Sequence, residues 1–136
     1  MPEKIYTAAA PEPIGPYSQA IRVGKMIHLS GQVPIDPATG ALVSGTVAEQ
    51  TEQVCKNLGA VLEAADLGFA HVVKTSCYLA DMDDFAAFNT VYARYFTSEP
   101  ARACVAVKEL PKGARVEIEA IAASSDATAA AVSAAE

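Results

Sequence analysis

An arginine stands near the start of a predicted strand whose other residues are small or apolar. Arg102 lies directly after Pro100-Ala101. Because a guanidinium keeps its charge, an arginine in such a strand needs an anionic partner. Two kinds of partner fit the spacing equally well. One is Glu117 or Glu119, in a salt bridge across a predicted hairpin; the other is a small ligand's carboxylate, bound through two parallel N–H groups.

Two glutamates alternate with apolar residues in the last predicted strand. Glu117 and Glu119 are two positions apart and therefore share one face, opposite Val116 and Ile118. Alternating acids are most often the solvated side of a strand. A carboxylate beside a cleft can also orient a water molecule or act as a general base. Both interpretations of Glu117 and Glu119 stay open.

Four further residues have types or neighbours that suit a small-molecule site. Ser30 and Gly31 end a predicted strand, where a glycine lets the backbone approach a ligand closely. Tyr17 lies in a rigid loop, where such a residue is more often a packing anchor than a catalyst. Cys104 shares a strand face with Arg102 but has no neighbouring histidine, so a thiolate nucleophile is not predicted.

Composition limits the class of protein. The 136 residues are 51% apolar and 19% charged, which is typical of a globular chain with one domain's worth of core. The net charge of −6 disfavours general nucleic-acid binding, which needs a basic face. His28 and His71 stand apart from other metal-ligating residues, so no metal is expected. The motifs of triad hydrolases, P-loop NTPases and dinucleotide enzymes are absent, so no cofactor is expected.

Other patterns bear on compartment and boundaries. No apolar stretch approaches the roughly 20 residues of a membrane span, and residues 1–10 lack the apolar core of a secretory signal. The widely spaced Cys55, Cys77 and Cys104 suggest neither a disulfide nor a zinc site. We therefore expect a cytoplasmic protein without a membrane partner. Residues 124–136 are alanine-rich with no apolar stripe to bury, so we expect one domain over residues 1–123 and a disordered tail.

The hydrophobic pattern predicts two helices and six strands. Thr46 and Glu49 form a capping box that opens a helix ending before Gly68. A second helix follows Asp83 or Asp84, with apolar residues at spacings of three and four. Strands are predicted over residues 4–8, 18–23, 26–29, 71–79, 101–107 and 115–123. The second and third of these form one hairpin and the last two another.

These elements imply an α+β fold, a two-layer sandwich of a mixed six-stranded sheet with both helices on one face. The other face of the sheet then lacks a cover. Because the strands are rich in apolar residues, we expect self-association to cover that face.

Several segments, taken in order, resemble the Rid family, also called YjgF. They are Gly15-Pro16-Tyr17-Ser18-Gln19-Ala20, Leu29-Ser30-Gly31-Gln32-Val33-Pro34, Asp84-Phe85 with Asn89, and the run from Pro100-Ala101-Arg102-Ala103-Cys104-Val105 through Leu110-Pro111-Lys112-Gly113 to Val116-Glu117-Ile118-Glu119-Ala120. The last run is the most specific, and the resemblance spans residues 3–123. Arg102 with Glu117 resembles the RidA subgroup, the enamine/imine deaminases, in particular.

The resemblance implies a chorismate-mutase-like fold assembled as a homotrimer, with active sites in the clefts between subunits. It implies hydrolysis of 2-imino acids, in exchange with enamines, to 2-oxo acids and ammonia, on intermediates that pyridoxal-phosphate-dependent dehydratases release. Arg102 would bind the substrate carboxylate and Glu117 would position the water. The backbone at Cys104 would hold the imine nitrogen and that water. The resemblance also implies substrate-binding positions at Ser30, Gly31, Asn89 and Tyr17, with Tyr17 contributed by the same subunit or by the neighbouring one.

The chain departs from the family between Phe96 and Pro100, where three residues replace a longer loop. A shorter loop before Arg102 bears on the rim of the cleft and so on substrate preference. Two other functions stay open. A ribonuclease or translation inhibitor is disfavoured by the acidic charge and the lack of a histidine acid–base pair. A non-catalytic trimer that binds carboxylates or shields unfolded clients would need no water-orienting acid such as Glu117.

Overall fold

The computed structural model describes residues 2–124, so nearly all of the expected tail lies outside the described residues. In chain order the elements are β1 (Glu3–Ile5), β2 (Ala20–Val23), β3 (Met26–Gln32), α1 (Val47–Ala64), β4 (Val72–Leu79), α2 (Phe85–Tyr95), β5 (Ala101–Ala106) and β6 (Val116–Ala123). Short 3-10 turns lie at Phe69–His71, Met82–Asp84 and Pro111–Gly113.

All six strands join one mixed sheet in the order β1-β2-β3-β6-β4-β5. The predicted hairpin of β2 and β3 is confirmed, with Val23 opposite Met26. The second predicted hairpin is wrong. β6 is inserted between β3 and β4, antiparallel to both, and β5 pairs parallel with β4 at the edge of the sheet. A parallel pair needs a crossover connection, which α2 supplies.

The first helix begins as its capping box predicts. The Thr46 Oγ1 accepts a hydrogen bond from the Glu49 backbone N–H at 3.2 Å, and the Glu49 carboxylate accepts one from the Thr46 N–H at 3.2 Å. These bonds satisfy two donors that a helix N-terminus leaves unpaired. Apolar residues of α1 at spacings of three and four, Val54, Leu58 and Val61, are buried against the sheet side of the core, and α1 ends at Ala64, before Gly68, as predicted. No helix within residues 2–124 combines the length and apolar character needed to cross a membrane.

The second helix begins directly after Asp84, as predicted, but without a side-chain cap. Asp84 occupies the N-cap position of α2, but its side chain accepts no capping hydrogen bond. Its carboxylate instead accepts from Arg115 Nη2 at 2.9 Å, which ties α2 to the start of β6. Asp81 caps the preceding 3-10 turn by accepting from the Asp83 N–H at 2.8 Å. A charged partner close in space therefore competes successfully with the local cap.

The two faces of the sheet differ in chemistry. Alternate residues of β6, from Val116 to Ala122, are buried beneath the helices, and burying each large aliphatic side chain there contributes about 1.5–3 kcal/mol. The other face carries no helix among the described residues. At the centre of this face the side chains of His28, Lys74, Ser76 and Glu119 line a depression. The apolar residues of the strands point mainly to the helices.

Candidate active site

Six of the seven residues predicted for the site, all except Cys104, line two separate clefts of the chain. The first, here called the glutamate cleft, has a volume of about 410 Å³ and contains Tyr17, Ser30, Gly31 and Glu117. The second, here called the arginine cleft, has a volume of about 530 Å³ and contains Asn89 and Arg102. The sequence does not predict this separation.

Arg102 lies on the edge strand and faces the helices. It is in register with Thr75 of β4, a fully buried residue on the helix side of the sheet. Its Nη1 donates to Asn89 Oδ1 at 2.8 Å, and its guanidinium carbon lies 4.8 Å from the ring centre of Tyr92 and 5.5 Å from that of Phe85. Such distances are typical of cation–π contacts. Asn89, Tyr92 and Phe85 all belong to α2.

Of the two partners left open for Arg102, the salt bridge to Glu117 or Glu119 is not formed. β4 separates β5 from β6, and no ion pair of residues 2–124 includes Arg102. The guanidinium therefore keeps Nε and Nη2 without a hydrogen-bond partner among the described residues. An arginine with one nitrogen held and one edge unpaired is suited to bind a carboxylate through two parallel N–H groups.

Glu117 lies on the opposite, open face of the sheet. It shares that face with Glu119, as their spacing predicts, and pairs across the ladder with Tyr78. Burial raises the pKa of the Glu117 carboxyl, and the neighbouring Glu119 raises it further. Glu119 in turn accepts a hydrogen bond from the Tyr78 hydroxyl at 3.2 Å. A half-buried carboxylate with a raised pKa is a better base near neutral pH than an ordinary glutamate.

Gly31 lies directly against the carboxylate of Glu117. A Cβ atom placed at residue 31 would overlap the Glu117 Oε2 and approach its carboxyl carbon within 2.9 Å. The pairing of β3 with β6 also shifts register between Leu29 and Gln32, and such an irregularity re-aims the backbone. The glycine and the irregularity together bring β3 close to the acid.

Ser30 and Tyr17 complete the polar wall of the glutamate cleft. The Ser30 hydroxyl donates to the Ser18 carbonyl at 2.6 Å, and its N–H donates to the Gln19 carbonyl at 2.9 Å, so the strand end is tied to the preceding loop. Tyr17 is 54% exposed. The usual role of such a residue as a buried packing anchor does not apply here, because its ring stands at the rim of the cleft.

Cys104 faces the helices and stands in register with Cys77. Burial raises the pKa of the Cys104 thiol, and the nearby Arg102 guanidinium opposes this only in part. Burial raises the pKa of Cys77 to about 12. The thiol of Cys104 is thus a poor nucleophile, as the sequence indicates. It lines neither cleft.

The shortened loop before Arg102 forms one wall of the arginine cleft. α2 ends at Tyr95, and the Glu99 N–H donates back to the Phe96 carbonyl at 3.2 Å. Glu99 adopts a positive φ of 55°, which is uncommon for a residue with a side chain. Thr97, Glu99 and Pro100 all line the cleft, so the loop's length directly shapes the space beside the guanidinium.

Sequence reasoning missed the residues that hold Arg102. Phe85 and Tyr92 are among the apolar residues that recur at spacings of three and four in α2, and both approach the guanidinium. Their spacing with Asn89, at i, i+4 and i+7, was the available signal, because such residues share one helix face. Lys112 was also missed. It lines the glutamate cleft and has a positive φ of 59°.

Comparison with known proteins gives consistent matches over nearly the whole described chain. The family model described as Endoribonuclease L-PSP matches residues 7–124. A human protein named 2-iminobutanoate/2-iminopropanoate deaminase is 54% identical over 119 residues, which are 87% of this chain and 87% of that protein. Other relatives carry RutC or Rid family names.

Solved structures agree with the fold. The crystal structure of RidA from a Psychrobacter species matches with a TM-score of 0.85 at 43% identity, covering 89% of this chain and 98% of that one. The structure of Escherichia coli TdcF with bound serine matches with a TM-score of 0.85 at 38% identity, again covering 89% and 98%.

Proposed function

This chain belongs to the Endoribonuclease L-PSP family, which includes the Rid and RutC proteins, and from that premise we propose that it hydrolyses 2-imino acids, in exchange with their enamine tautomers, to 2-oxo acids and ammonia. The observation that carries the proposal is that Arg102 is positioned in a cleft without an acidic partner. Its guanidinium is held by Asn89, lines an open cleft and has no acidic partner among residues 2–124. A ligand carboxylate would supply the missing anion. The human relative's name and the serine bound to TdcF are consistent with such a substrate.

The proposed assembly is a homotrimer with a chorismate-mutase-like fold and with sites between subunits. Arg102 and Glu117 lie on opposite faces of one sheet, so a small substrate that touches both needs two chains. β5 is an edge strand with exposed residues, and an unpaired edge beside an uncovered face favours association. In this arrangement the arginine cleft of one subunit faces the glutamate cleft of the next.

The proposed reaction uses water as the nucleophile. Arg102 binds the substrate carboxylate, and Glu117 accepts a proton as water attacks the C=N carbon, which forms a tetrahedral carbinolamine. That first proton passes from Glu117 to the nitrogen and completes the carbinolamine. Glu117 then takes the hydroxyl proton and returns it to the nitrogen as the C–N bond breaks, so a C=O bond forms and a 2-oxo acid and ammonia leave. The backbone at Cys104 holds the imine nitrogen and the water. Positioning and proton transfer suffice for attack on an activated C=N bond.

The remaining residues of the proposed site shape the cleft around this reaction. Tyr17 and Ser30 line the substrate space. Gly31 keeps the backbone close to the Glu117 carboxylate, and Asn89 orients Arg102. We further propose that the protein works in the cytoplasm beside pyridoxal-phosphate-dependent dehydratases, whose enamine products are its substrates, and needs no cofactor of its own.

The test couples a serine or threonine dehydratase to the purified protein and follows imine loss by semicarbazide trapping. We expect wild-type protein to accelerate loss of the imine and Arg102→Ala to abolish that acceleration. Arg94→Ala is the matched control, because Arg94 belongs to α2 and pairs on the surface with Glu52, away from Arg102. Acceleration that persists in Arg102→Ala would contradict the proposed role of the guanidinium.

Two outcomes would replace the proposal with another function. RNA cleavage that co-purifies with the protein and disappears in Arg102→Ala would favour a ribonuclease. Binding of 2-oxobutanoate without any turnover of imine would favour a carboxylate-binding or client-shielding protein of the same fold.

A further inference from the structure

Three residues on one face of α2 surround the guanidinium of Arg102. Phe85, Asn89 and Tyr92 stand at i, i+4 and i+7, so they share that face. Asn89 Oδ1 accepts from Nη1 at 2.8 Å, while the two rings lie against the guanidinium at 5.5 Å and 4.8 Å. The closer ring belongs to Tyr92.

Tyr92 is itself held in place by residues of the core. It is 7% exposed, and its hydroxyl shares a hydrogen bond of 2.7 Å with Thr75 Oγ1. Thr75 is fully buried and is the register partner of Arg102 on the neighbouring strand. The Tyr92 ring also stacks on Phe96, with ring centres 4.3 Å apart and planes 21° apart. The ring against the guanidinium is therefore held both by Thr75 and by Phe96.

This arrangement leaves one edge of Arg102 available. The guanidinium has five N–H donors in a planar fork. Asn89 occupies one nitrogen and Tyr92 covers one face, while Nε and Nη2 have no partner among the described residues. A carboxylate needs two parallel N–H groups, and an arginine already held loses less side-chain freedom on binding it.

We infer that Tyr92, held by Thr75, is a positioning residue that aims Arg102 at the substrate carboxylate. The inference rests on the proposed function, because it assigns the carboxylate to Arg102. Tyr92 contacts the guanidinium and its hydroxyl is bonded to Thr75, so it takes no part in proton transfer, and its effect falls on substrate binding more than on the chemical step. A ring that merely filled the core would affect stability alone.

The experiment compares three variants with wild-type protein. Tyr92→Leu removes the ring, Tyr92→Phe keeps the ring and removes the hydroxyl, and Thr75→Val removes the partner of that hydroxyl. For each, KM and kcat are measured for imine generated by a dehydratase, and Kd is measured calorimetrically for the stable product 2-oxobutanoate. Phe69→Leu is the control, because Phe69 packs in the same aromatic cluster and has no contact with Arg102.

We expect Tyr92→Leu to raise KM and Kd about tenfold while kcat changes less than about twofold. Tyr92→Phe should recover most of the binding, and Thr75→Val should raise KM and Kd about two- to fivefold. Phe69→Leu should lower the melting temperature and leave KM and Kd unchanged. If Tyr92→Leu does not fold, Thr75→Val alone decides the question.

The inference is overturned if folded Tyr92→Leu, or Thr75→Val in its place, binds 2-oxobutanoate as wild type does. That result leaves the proposed function intact, provided that wild-type protein hydrolyses the imine and Arg102→Ala does not. A wild-type protein that binds 2-oxobutanoate without hydrolysing imine would contradict the proposed function and leave the binding test of Tyr92 valid. A wild-type protein that does neither would overturn both.

Discussion

Arg102 and Glu117 lie on opposite faces of the same sheet, with β4 between their strands. Arg102 is in register with buried Thr75 on the helix side, and Glu117 is in register with Tyr78 on the open side. Side chains on the two faces of a sheet are separated by its backbone layer. A single chain thus presents two half-sites, and the proposed reaction needs a second chain.

Mixing two inactive variants tests this relationship. Arg102→Ala and Glu117→Gln should each be inactive alone, whereas protein co-refolded from equal amounts should recover activity at about one intersubunit site in four. The recovered sites combine an intact arginine cleft with an intact glutamate cleft from a neighbouring chain. Imine loss measured across mixing ratios should peak at equal amounts. Absence of recovery in a mixed oligomer, verified by mass spectrometry, would mean that one chain supplies both groups.

The pH dependence of activity should report the environment of Glu117. The pKa of Glu117 is raised, so the carboxylate becomes protonated at a higher pH than an ordinary glutamate does. Activity should therefore fall on the acid side at a correspondingly higher pH. Glu119→Gln removes a neighbouring negative charge, so the Glu117 pKa falls and the acid limb moves to lower pH. Rates of imine loss between pH 5 and 8 measure this, with Glu63→Gln on the exposed side of α1 as the control. If the acid side of the pH–rate profile is the same in Glu119→Gln as in wild type, Glu117 is not the base whose protonation limits the rate.

Glu117→Gln should make the folded protein more stable at neutral pH while it abolishes activity. A carboxyl whose folded pKa is raised stabilises the fold only at low pH, and that contribution is lost as the pH rises through the folded pKa. The amide removes the unfavourable buried charge present at pH 7. Melting temperatures should therefore differ most at pH 7 and converge near pH 4. A variant less stable than wild type at pH 7 would contradict this account.

Gly31→Ala should lower activity through the Glu117 carboxylate. The added Cβ would occupy the position of Oε2, so the acid must move, and a displacement of this size reduces turnover by about 10- to 100-fold. Gly68→Ala is the matched control, because nothing lies within 4 Å of a Cβ at that position and its φ is not positive. Imine loss and melting temperature are measured for both variants. Equal activity of the two would show that Glu117 tolerates displacement.

Local patterns predicted much of the fold because their physics is local. The capping box of Thr46 and Glu49 involves groups three residues apart, so α1 was predicted with its beginning and its buried stripe. The hairpin of β2 and β3 follows from a short turn between two strand patterns. The position of the α2 N-cap, Asp84, was predicted correctly, but its side chain pairs with Arg115, 31 residues away in sequence, and does not cap the helix.

The prediction of a second hairpin, between β5 and β6, was wrong for the same reason. Residues 110–113 do form a turn, but a turn reverses the chain without selecting its partner strand. β6 pairs with β3 and β4, whose buried residues match its own alternation, and β5 is left at the edge. The salt bridge of Arg102 to Glu117 or Glu119 required β5 to lie beside β6, so it is not formed either.

The sequence by itself determined which residues have suitable chemistry: an arginine that needs an anion, an acid at a strand position, a glycine for close approach. It also determined the class of fold, since periodicity and caps act within a few residues. Only the tertiary structure decided that Arg102 and Glu117 face opposite ways, that α2 holds the guanidinium, and that Gly31 adjoins the acid. Those relationships depend on strand order, which long-range packing selects from several arrangements that local patterns allow equally.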